Sequence, residues 1–229
     1  MIRYTIVFIF LISSCGNLPI TYAQNFSEVN KVLFGFPEYE ITKEILNEYD
    51  YSFAKVQFDR GPHSILILAY INDDIYEWVG LDNVKLFTKN GRVVKTSGLK
   101  NDFEIRSPYD LTLHQTVKSR FSDSYLSRIS SIFLSEDEAQ NYYEGIDLYN
   151  PDLFNASLKT NHSVTEDKLI RFGEEKDVVL IKQQAEITTI AWKEMNQFYL
   201  DKNSGRIIES YQSLHPRLSK VKIEFYFLI

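Results

Sequence analysis

The residue whose chemistry the sequence indicates most clearly is its only cysteine, Cys15. An aliphatic side chain, Ile12, stands three positions before it, and two small side chains, Ser13 and Ser14, lie between them. This is the pattern of a bacterial lipobox, in which a peptidase that admits only small side chains beside the cut makes the cysteine the new first residue. The thiol then carries diacylglycerol, and the freed amine carries an acyl chain such as palmitate. Two or three chains form an effectively permanent membrane anchor, because a single chain binds only marginally.

The residues before Cys15 have the composition of an export signal. Arg3 supplies a positive charge, and the uncharged apolar run TIVFIFLI follows it. Because this run is shorter than the roughly 20 apolar residues of a transmembrane helix, we interpret it as a signal peptide. Gly16 stands where Asp would favour retention in the inner membrane, so we expect the outer membrane and its periplasmic face. The predicted organisation is a lipoprotein signal peptide, a lipidated tether and a single β-rich domain, over residues 1–14, 15–25 and 26–229.

One alternative stays open at the signal. Thr21-Tyr22-Ala23 followed by Gln24 also fits an ordinary signal-peptidase site, and cleavage there would remove Cys15 together with the signal. We favour lipidation, because the only cysteine of the chain stands at the end of the apolar run.

Other residue types that could do chemistry are not arranged for it. None of the four histidines has a second ligand at the spacing of a zinc site. They are His63, His114, His162 and His215. The acids at 73–74 and 136–138 could form the carboxylate pair of a glycoside hydrolase, but acids in turns and at helix starts are usually solvated caps. With no Gly-x-Ser-x-Gly motif either, we predict a protein that is not an enzyme and has no cofactor or metal.

The overall composition narrows the set of partners. Among 229 residues, 25 Lys and Arg against 31 Asp and Glu give a net charge of −6 with no basic run, which argues against nucleic acid. Trp78, Trp192 and the 15 tyrosines could stack on sugar rings, but a β-rich core needs the same side chains to fill itself. We expect core packing for most of them.

Two hairpins are the clearest structural elements in the sequence. In the first, residues 84–88 and 93–96 flank Asn90-Gly91, the dipeptide of a type I′ turn. In the second, residues 197–200 lead through a polar turn into residues 206–211.

The remaining strand predictions rest on hydrophobic period. Residues 51–58 and 221–227 alternate, and each alternation predicts a strand with one buried face. The continuous apolar run at residues 63–70 predicts a core strand. Further strands are predicted at residues 111–117, 128–134, 177–182 and 186–192.

Short helices complete the prediction. One begins after Ser27 and another at Thr42, and a capping box at residues 135–138 predicts a helix that carries Tyr142 and Tyr143. Short strands separated by frequent turn signals are typical of antiparallel sandwiches and barrels. We therefore predict a mainly β fold, an antiparallel β-barrel-like or sandwich domain with short N-terminal helices.

Two blocks of the sequence resemble the YjbF family. The first begins with YSFA at residues 51–54, continues to Trp78 and ends with GRVVKTSGL at residues 91–99. The second comprises NQFYLDKNSG at residues 196–205 and SYQSLHP at residues 210–216. There the family has Asn-x-Tyr/Phe-Trp-x-Asp-x-x-Thr-Gly and Ser-x-Gln-x-x-x-Pro.

The chain departs from the family pattern at a few positions. Tyr199 stands in place of Trp and Ser204 in place of Thr, and RSPYD at residues 106–110 is only loosely similar to the family's Asp-Pro segment. Residues 115–177 match no part of the pattern that we can align. The two blocks still follow each other in the family's order, with the lipobox before them.

The resemblance implies a function in polysaccharide export. It implies an outer-membrane lipoprotein with an antiparallel β-barrel-like domain, a non-catalytic accessory in exopolysaccharide or group 4 capsule secretion or assembly. Cys15 is the only functional position that carries over. The expected partners are the membrane, through the lipid anchor, and polysaccharide-export or assembly proteins. A polysaccharide-binding module and a carbohydrate-active enzyme are the alternatives, although an acidic surface would repel an acidic polysaccharide within roughly 10 Å.

Overall fold

The computed structural model describes residues 40–106 and 141–228, which contain one α-helix and twelve strands. Apart from Arg60–Pro62, these residues belong to one compact unit. The helix α1 is Lys43–Asn47, and a 3-10 turn lies at Thr188–Ile190. In chain order, β1 to β12 are Phe53–Phe58, His63–Asn72, Ile75–Val79, Lys85–Lys89, Arg92–Ser97, Phe103–Arg106, Tyr142–Leu148, Leu153–Arg171, Glu174–Ile187, Trp192–Asp201, Ile207–Gln212 and Val221–Tyr226.

The strands form a closed antiparallel barrel in which each strand pairs with the next one along the chain. The barrel closes where β12 pairs with β1, from Phe53 opposite Tyr226 to Phe58 opposite Val221. We call this junction the seam. Closure leaves no free edge between the first and last strands, where an unpaired edge would invite aggregation. The prediction of a mainly β, antiparallel barrel-like fold is confirmed, and the sandwich alternative is not what forms.

Alternation along the strands decides which side chains enter the barrel core. On β12, Val221, Ile223 and Phe225 belong to that core, whereas Lys222 and Glu224 lie on the opposite face. The strand predicted at residues 221–227 is confirmed as β12 with the predicted face buried, but Tyr226 on the other face is also buried.

β1 is buried on both faces, so the prediction of one buried face is wrong for this strand. Ala54 belongs to the barrel core, yet Phe53 and Lys55 on the other face are only 0% and 3% exposed. Phe53 packs in a second apolar cluster with Ile41 and Tyr226. The segment around α1 thus adds a layer outside the barrel. The alternation of residues within β1 cannot predict this layer, because the layer is formed by a different segment.

The helix predicted from Thr42 is present as α1. The Thr42 side chain accepts a hydrogen bond from Ile45 N at 3.3 Å, the contact of an N-cap. Ile45, Leu46 and Tyr49 pack against the second apolar cluster, as their spacing predicts.

β2 is not the core strand that its apolar run predicts. Leu66 is buried, but Ile67, Tyr70 and Ile71 are 37%, 67% and 59% exposed. An unbroken apolar run is typical of a strand buried on both faces, but the same sequence pattern also occurs in a strand with one face exposed. Here the end of the strand stays exposed.

Both predicted hairpins are present, and they touch each other. Asn90 and Gly91 have φ values of 50° and 76°, as a type I′ turn requires. A Cβ on Gly91 would lie 2.4 Å from the Cβ of Ile207 on β11, so only glycine fits between the two hairpins.

The longest hairpin, β8–β9, was not predicted. Its strands have 19 and 14 residues, and the strand predicted at residues 177–182 is only part of β9. The strand predicted at 186–192 is wrong, because the 3-10 turn separates β9 from β10. Tyr142 and Tyr143 begin β7 instead of belonging to a helix. β8 is rich in polar side chains and lacks a hydrophobic strand pattern. Its pairing with β7 and β9 stabilises it, so hydrophobicity along β8 alone does not predict the strand.

The tip of β8–β9 is fixed to the outside of the seam. Arg171 donates hydrogen bonds to the carbonyls of Ile208 at 2.8 Å and Phe225 at 2.6 Å. Its guanidinium carbon lies 4.4 Å from the centre of the Tyr226 ring, a cation–π distance.

Several predictions fall outside the described residues. They are lipidation at Cys15, the helix after Ser27, the capping box at residues 135–138, and the strands at residues 111–117 and 128–134.

Candidate functional site

A buried ion pair crosses the inside of the barrel. The two terminal nitrogens of Arg92 on β5 donate to the two carboxylate oxygens of Glu144 on β7, at 3.0 and 2.6 Å. The side chains are 14% and 5% exposed. Because a lone charge would be costly at this depth, each residue is tolerated there only through the other.

A chain of hydrogen bonds runs beside this pair. Ser213 N donates to Asn196 Oδ1 at 2.8 Å, and Asn196 Nδ2 donates to Gln183 Oε1 at 3.0 Å. Gln183 Nε2 lies 2.9 Å from His162 Nε2. Burial, together with the charge of Arg92, lowers the pKa of His162 to about 3. The imidazole is therefore neutral at pH 7 and accepts the hydrogen bond from Gln183.

Gln212 connects β11 to the turn of the first hairpin. Its Oε1 accepts from Val93 N, and its Nε2 donates to Gly91 O and to Ser210 Oγ, all at 2.9 Å. Gln212 and Gly91 stand 121 positions apart in the chain. The two sequence blocks that resemble the YjbF family therefore meet inside the barrel, and their shared residues serve the packing of the fold.

These polar groups line a small cavity with apolar walls. Its lining includes Gln183, Asn196, Gln212 and the half-buried Trp192. The free space suits a water molecule and is too small for a sugar ring. Because the three amide side chains already bond to protein groups, the arrangement braces the barrel and leaves few groups to hold a ligand.

The sequence analysis did not single out this network. Arg92, Asn196 and Gln212 stand in the family blocks, whereas no motif or pattern predicts a role for Glu144 or Gln183. The available signal was the presence of polar residues at inward positions of predicted strands, since such residues must be bonded when buried.

The expectation of core packing is confirmed for Trp78 but not for most tyrosines: of those described only Tyr226 is buried, and Tyr51, Tyr70, Tyr143 and Tyr149 are exposed. Trp78 is fully buried, and its Nε1 donates to Thr88 Oγ1 at 2.8 Å. Phe53, Phe198 and Phe225 are also among the largest fully buried side chains. These rings cannot serve as an exposed platform for sugars.

The residues considered for metal or acid–base chemistry lie apart. The three described histidines are on β2, on β8 and after β11, and within residues 40–106 and 141–228 no group of His, Cys, Asp and Glu could hold a metal ion. Asp73 lies in the β2–β3 turn at φ 55°, and Asp74 pairs with Lys89 at 2.9 Å. His114 and the acids at residues 136–138 fall outside the described part.

A second charged cluster lies on the outer face of β11 and β12. Lys222 Nζ lies 3.0 Å from Glu224 and 3.9 Å from Glu209, and the Tyr226 hydroxyl donates to Glu224 at 2.6 Å. Burial raises the pKa of Glu209. Burial acts in the same direction on Glu224, but the Tyr226 hydroxyl and Lys222 outweigh it and lower that pKa. Lys222 lies between the two carboxylates, and the buried Lys55 lies 3.3 Å from Glu224, so two lysines balance two carboxylates.

No helix in the described part of the chain is long and apolar enough to cross a membrane.

Comparison with known proteins identifies the family. The family model described as "Group 4 capsule polysaccharide lipoprotein gfcB, YjbF" matches residues 26–226. The uncharacterized lipoprotein YjbF of Escherichia coli K12 is 34% identical over 64 residues, which are 28% of this chain and 30% of that protein. The uncharacterized lipoprotein GfcB of the same organism is 23% identical over 194 residues, 84% of both chains.

A solved structure shares the fold. The crystal structure of the hypothetical lipoprotein YmcC from Escherichia coli K12 matches with a TM-score of 0.64 at 19% identity, over 88% of this chain and 95% of that chain. The matched family model spans every strand of the barrel. The chain therefore belongs to the YjbF family of group 4 capsule polysaccharide lipoproteins.

Proposed function

We propose that this protein is a lipid-anchored, non-catalytic accessory in the secretion or assembly of an exopolysaccharide or capsule. It is held at the periplasmic face of the outer membrane, and its partners there are polysaccharide-export or assembly proteins. The description of the matched family supports the link to a capsule system. The lipobox that ends at Cys15 supports the anchor.

The proposal that the protein is non-catalytic is supported by the polar side chains of the barrel interior, which are already bonded to one another or to the backbone. Glu144 is bound by Arg92 through both oxygens, and the amides of Gln183, Asn196 and Gln212 bond to protein groups. A general acid or base needs a carboxyl group that can reach a substrate. A sugar-binding site needs polar groups that are not already hydrogen-bonded within the protein, next to an exposed aromatic ring. A filled, braced barrel is better suited to presenting its outer surface to another protein.

The anchor is tested at Cys15. In the Cys15→Ala variant of the full-length protein we expect loss of the lipid and release from the membrane fraction. Intact mass of the wild type gives a second readout, because lipidation predicts a chain that begins at Cys15 and carries acyl groups. A wild-type chain that begins at Gln24, or a Cys15→Ala variant that stays in the membrane with unchanged mass, would contradict the anchor.

The role in polysaccharide export is tested by deleting the gene and measuring surface polysaccharide. We expect a large decrease that the wild-type gene restores and the Cys15→Ala gene does not. Unchanged polysaccharide under conditions in which the wild type makes it would overturn the proposed function.

A further inference from the structure

We propose that an apolar strip beside the seam is the docking site for a partner protein with a basic contact surface. The inference rests on the proposed accessory function and names the chemistry of the partner. The strip consists of Tyr51, Ile67, Tyr70 and Leu228, each at least 37% exposed.

The backbone brings these side chains into one region. Ser52 accepts hydrogen bonds from Leu68 N through its carbonyl and from Leu228 N through its Oγ, both at 3.0 Å. These two bonds hold β2 and the segment after β12 on either side of Tyr51. Ile67 stands opposite Phe53 in the β1–β2 ladder, and Tyr70 follows on the same strand opposite Glu77. Ile71 pairs with Tyr76, which packs against the barrel core, so Ile71 lies on the opposite face and is not part of the strip.

Exposure of this kind is unusual for a fold that fills its own core. Scattered single apolar side chains are normal at a protein surface, but a contiguous group marks a contact surface. Tyrosine is also enriched in protein interfaces, since its ring is apolar and its hydroxyl stays satisfied in water.

Charge selects the kind of partner. The segment around α1, which borders the strip, carries four exposed acids: Glu40, Glu44, Glu48 and Asp50. The only basic side chain there, Lys43, is paired with Glu174 at 2.6 Å. Asp73 follows the strip on its other side, in the β2–β3 turn, whereas the charge of Asp74 beside it is paired with Lys89.

An acidic border favours a basic protein surface over the other occupants. An acidic polysaccharide and an anionic lipid surface would both be repelled. A second copy of this chain is also disfavoured, because a two-fold interface would place the same acids opposite each other.

The experiment uses full-length protein in cells from which the chromosomal gene is deleted. A photo-crosslinking benzoylphenylalanine replaces Tyr70, and adducts are compared in two charge backgrounds. Glu48→Lys with Asp50→Lys reverses the border, whereas Glu166→Lys with Asp177→Lys reverses two exposed acids on the β8–β9 hairpin as a matched control. We expect a protein adduct that falls at least fivefold with the first pair and less than twofold with the second.

Several outcomes would overturn the docking site. They are an adduct between two copies of this chain, a lipid adduct, no adduct, and a protein adduct that is equally sensitive to both charge pairs. Circular dichroism of each purified variant verifies that it is folded.

A second readout separates this inference from the proposed function. Tyr51→Ser with Tyr70→Ser should fail to restore surface polysaccharide, whereas Leu81→Ser with Phe154→Ser, two exposed apolar residues elsewhere, should restore it. If the deletion itself changes no polysaccharide, the proposed function fails. If the deletion lowers polysaccharide and both double variants restore it, the docking site alone fails.

Discussion

The barrel interior and the apolar strip both depart from the usual distribution of residues: the interior buries polar side chains, and the strip exposes apolar ones. Inside the barrel, polar side chains from six strands are buried or half-buried, and each is bonded to other protein groups, from Arg92 on β5 to Gln212 on β11. On the strip, tyrosine and aliphatic side chains are left in solvent. Buried polar groups tolerate few arrangements, because each lost bond leaves a desolvated group. The interior should therefore govern stability, and the strip should govern association.

The largest effect is expected where the two hairpins touch. Gly91→Ala would place a Cβ 2.4 Å from Ile207 at a φ of 76°, so overpacking adds to left-handed strain. We expect a loss of about 4 kcal/mol in the free energy of unfolding. Gly173→Ala is the matched control, since Gly173 has nearly the same φ, 73°, but no neighbour within 4 Å. It should cost only about 1 kcal/mol.

Urea unfolding followed by tryptophan fluorescence measures both glycine variants. Equal losses in the free energy of unfolding would mean that only backbone strain contributes and that Ile207 can move to accommodate the added Cβ.

The second prediction breaks the buried ion pair. Glu144→Gln leaves the Arg92 charge buried without its partner, so we expect a loss of about 3 kcal/mol. Glu104→Gln removes a comparable pair with Lys95, at 3.0 Å on the exposed surface, and should cost less than about 1 kcal/mol. Arg92→Met combined with Glu144→Leu removes both charges and should recover most of the loss. Similar losses for Glu144→Gln and Glu104→Gln would show that the interior is more hydrated than its burial indicates.

The same contrast explains how far sequence reasoning could reach. The hairpin at Asn90-Gly91 and the alternation of β12 are local signals, and both were predicted. The second buried face of β1 depends on Ile41 and on Tyr226, which lies 173 positions from Phe53. The contact with Tyr226 follows from barrel closure and the contact with Ile41 from the segment before α1, and neither is encoded in the period of one strand.

The candidate site was less predictable than the fold. Gln212 and Gly91 each stand in a family block, but only closure of the barrel shows that they bond to each other. β8 carries His162 in a polar stretch that has no strong strand signal, so no local pattern places His162 beside Gln183. Polar residues in a barrel interior become interpretable only when their partners are known.

The third prediction sharpens the comparison through pH. The pKa of His162 is near 6.5 in the unfolded chain and about 3 in the folded protein, so the unfolded state binds more protons between these values. Stability is therefore lost as the pH falls below 6.5. His162→Gln keeps an acceptor for Gln183 and removes the titration. The wild type should lose up to about 1.4 kcal/mol more per pH unit than this variant between pH 6 and pH 4. Parallel pH profiles would contradict burial of the ring.

The smallest effect on stability is expected at the apolar strip. In Tyr51→Ser with Tyr70→Ser, two exposed side chains are shortened, so little additional apolar area is exposed to water on unfolding. We expect the free energy of unfolding to change by less than about 0.5 kcal/mol, as is usual for surface substitutions. Urea unfolding of the purified variant provides the measurement. A loss above about 2 kcal/mol would mean that the strip is covered within the protein itself, and the division between a stabilising interior and an associating surface would fail there. A stable variant that no longer supports polysaccharide export would instead locate function on the outer surface of the barrel.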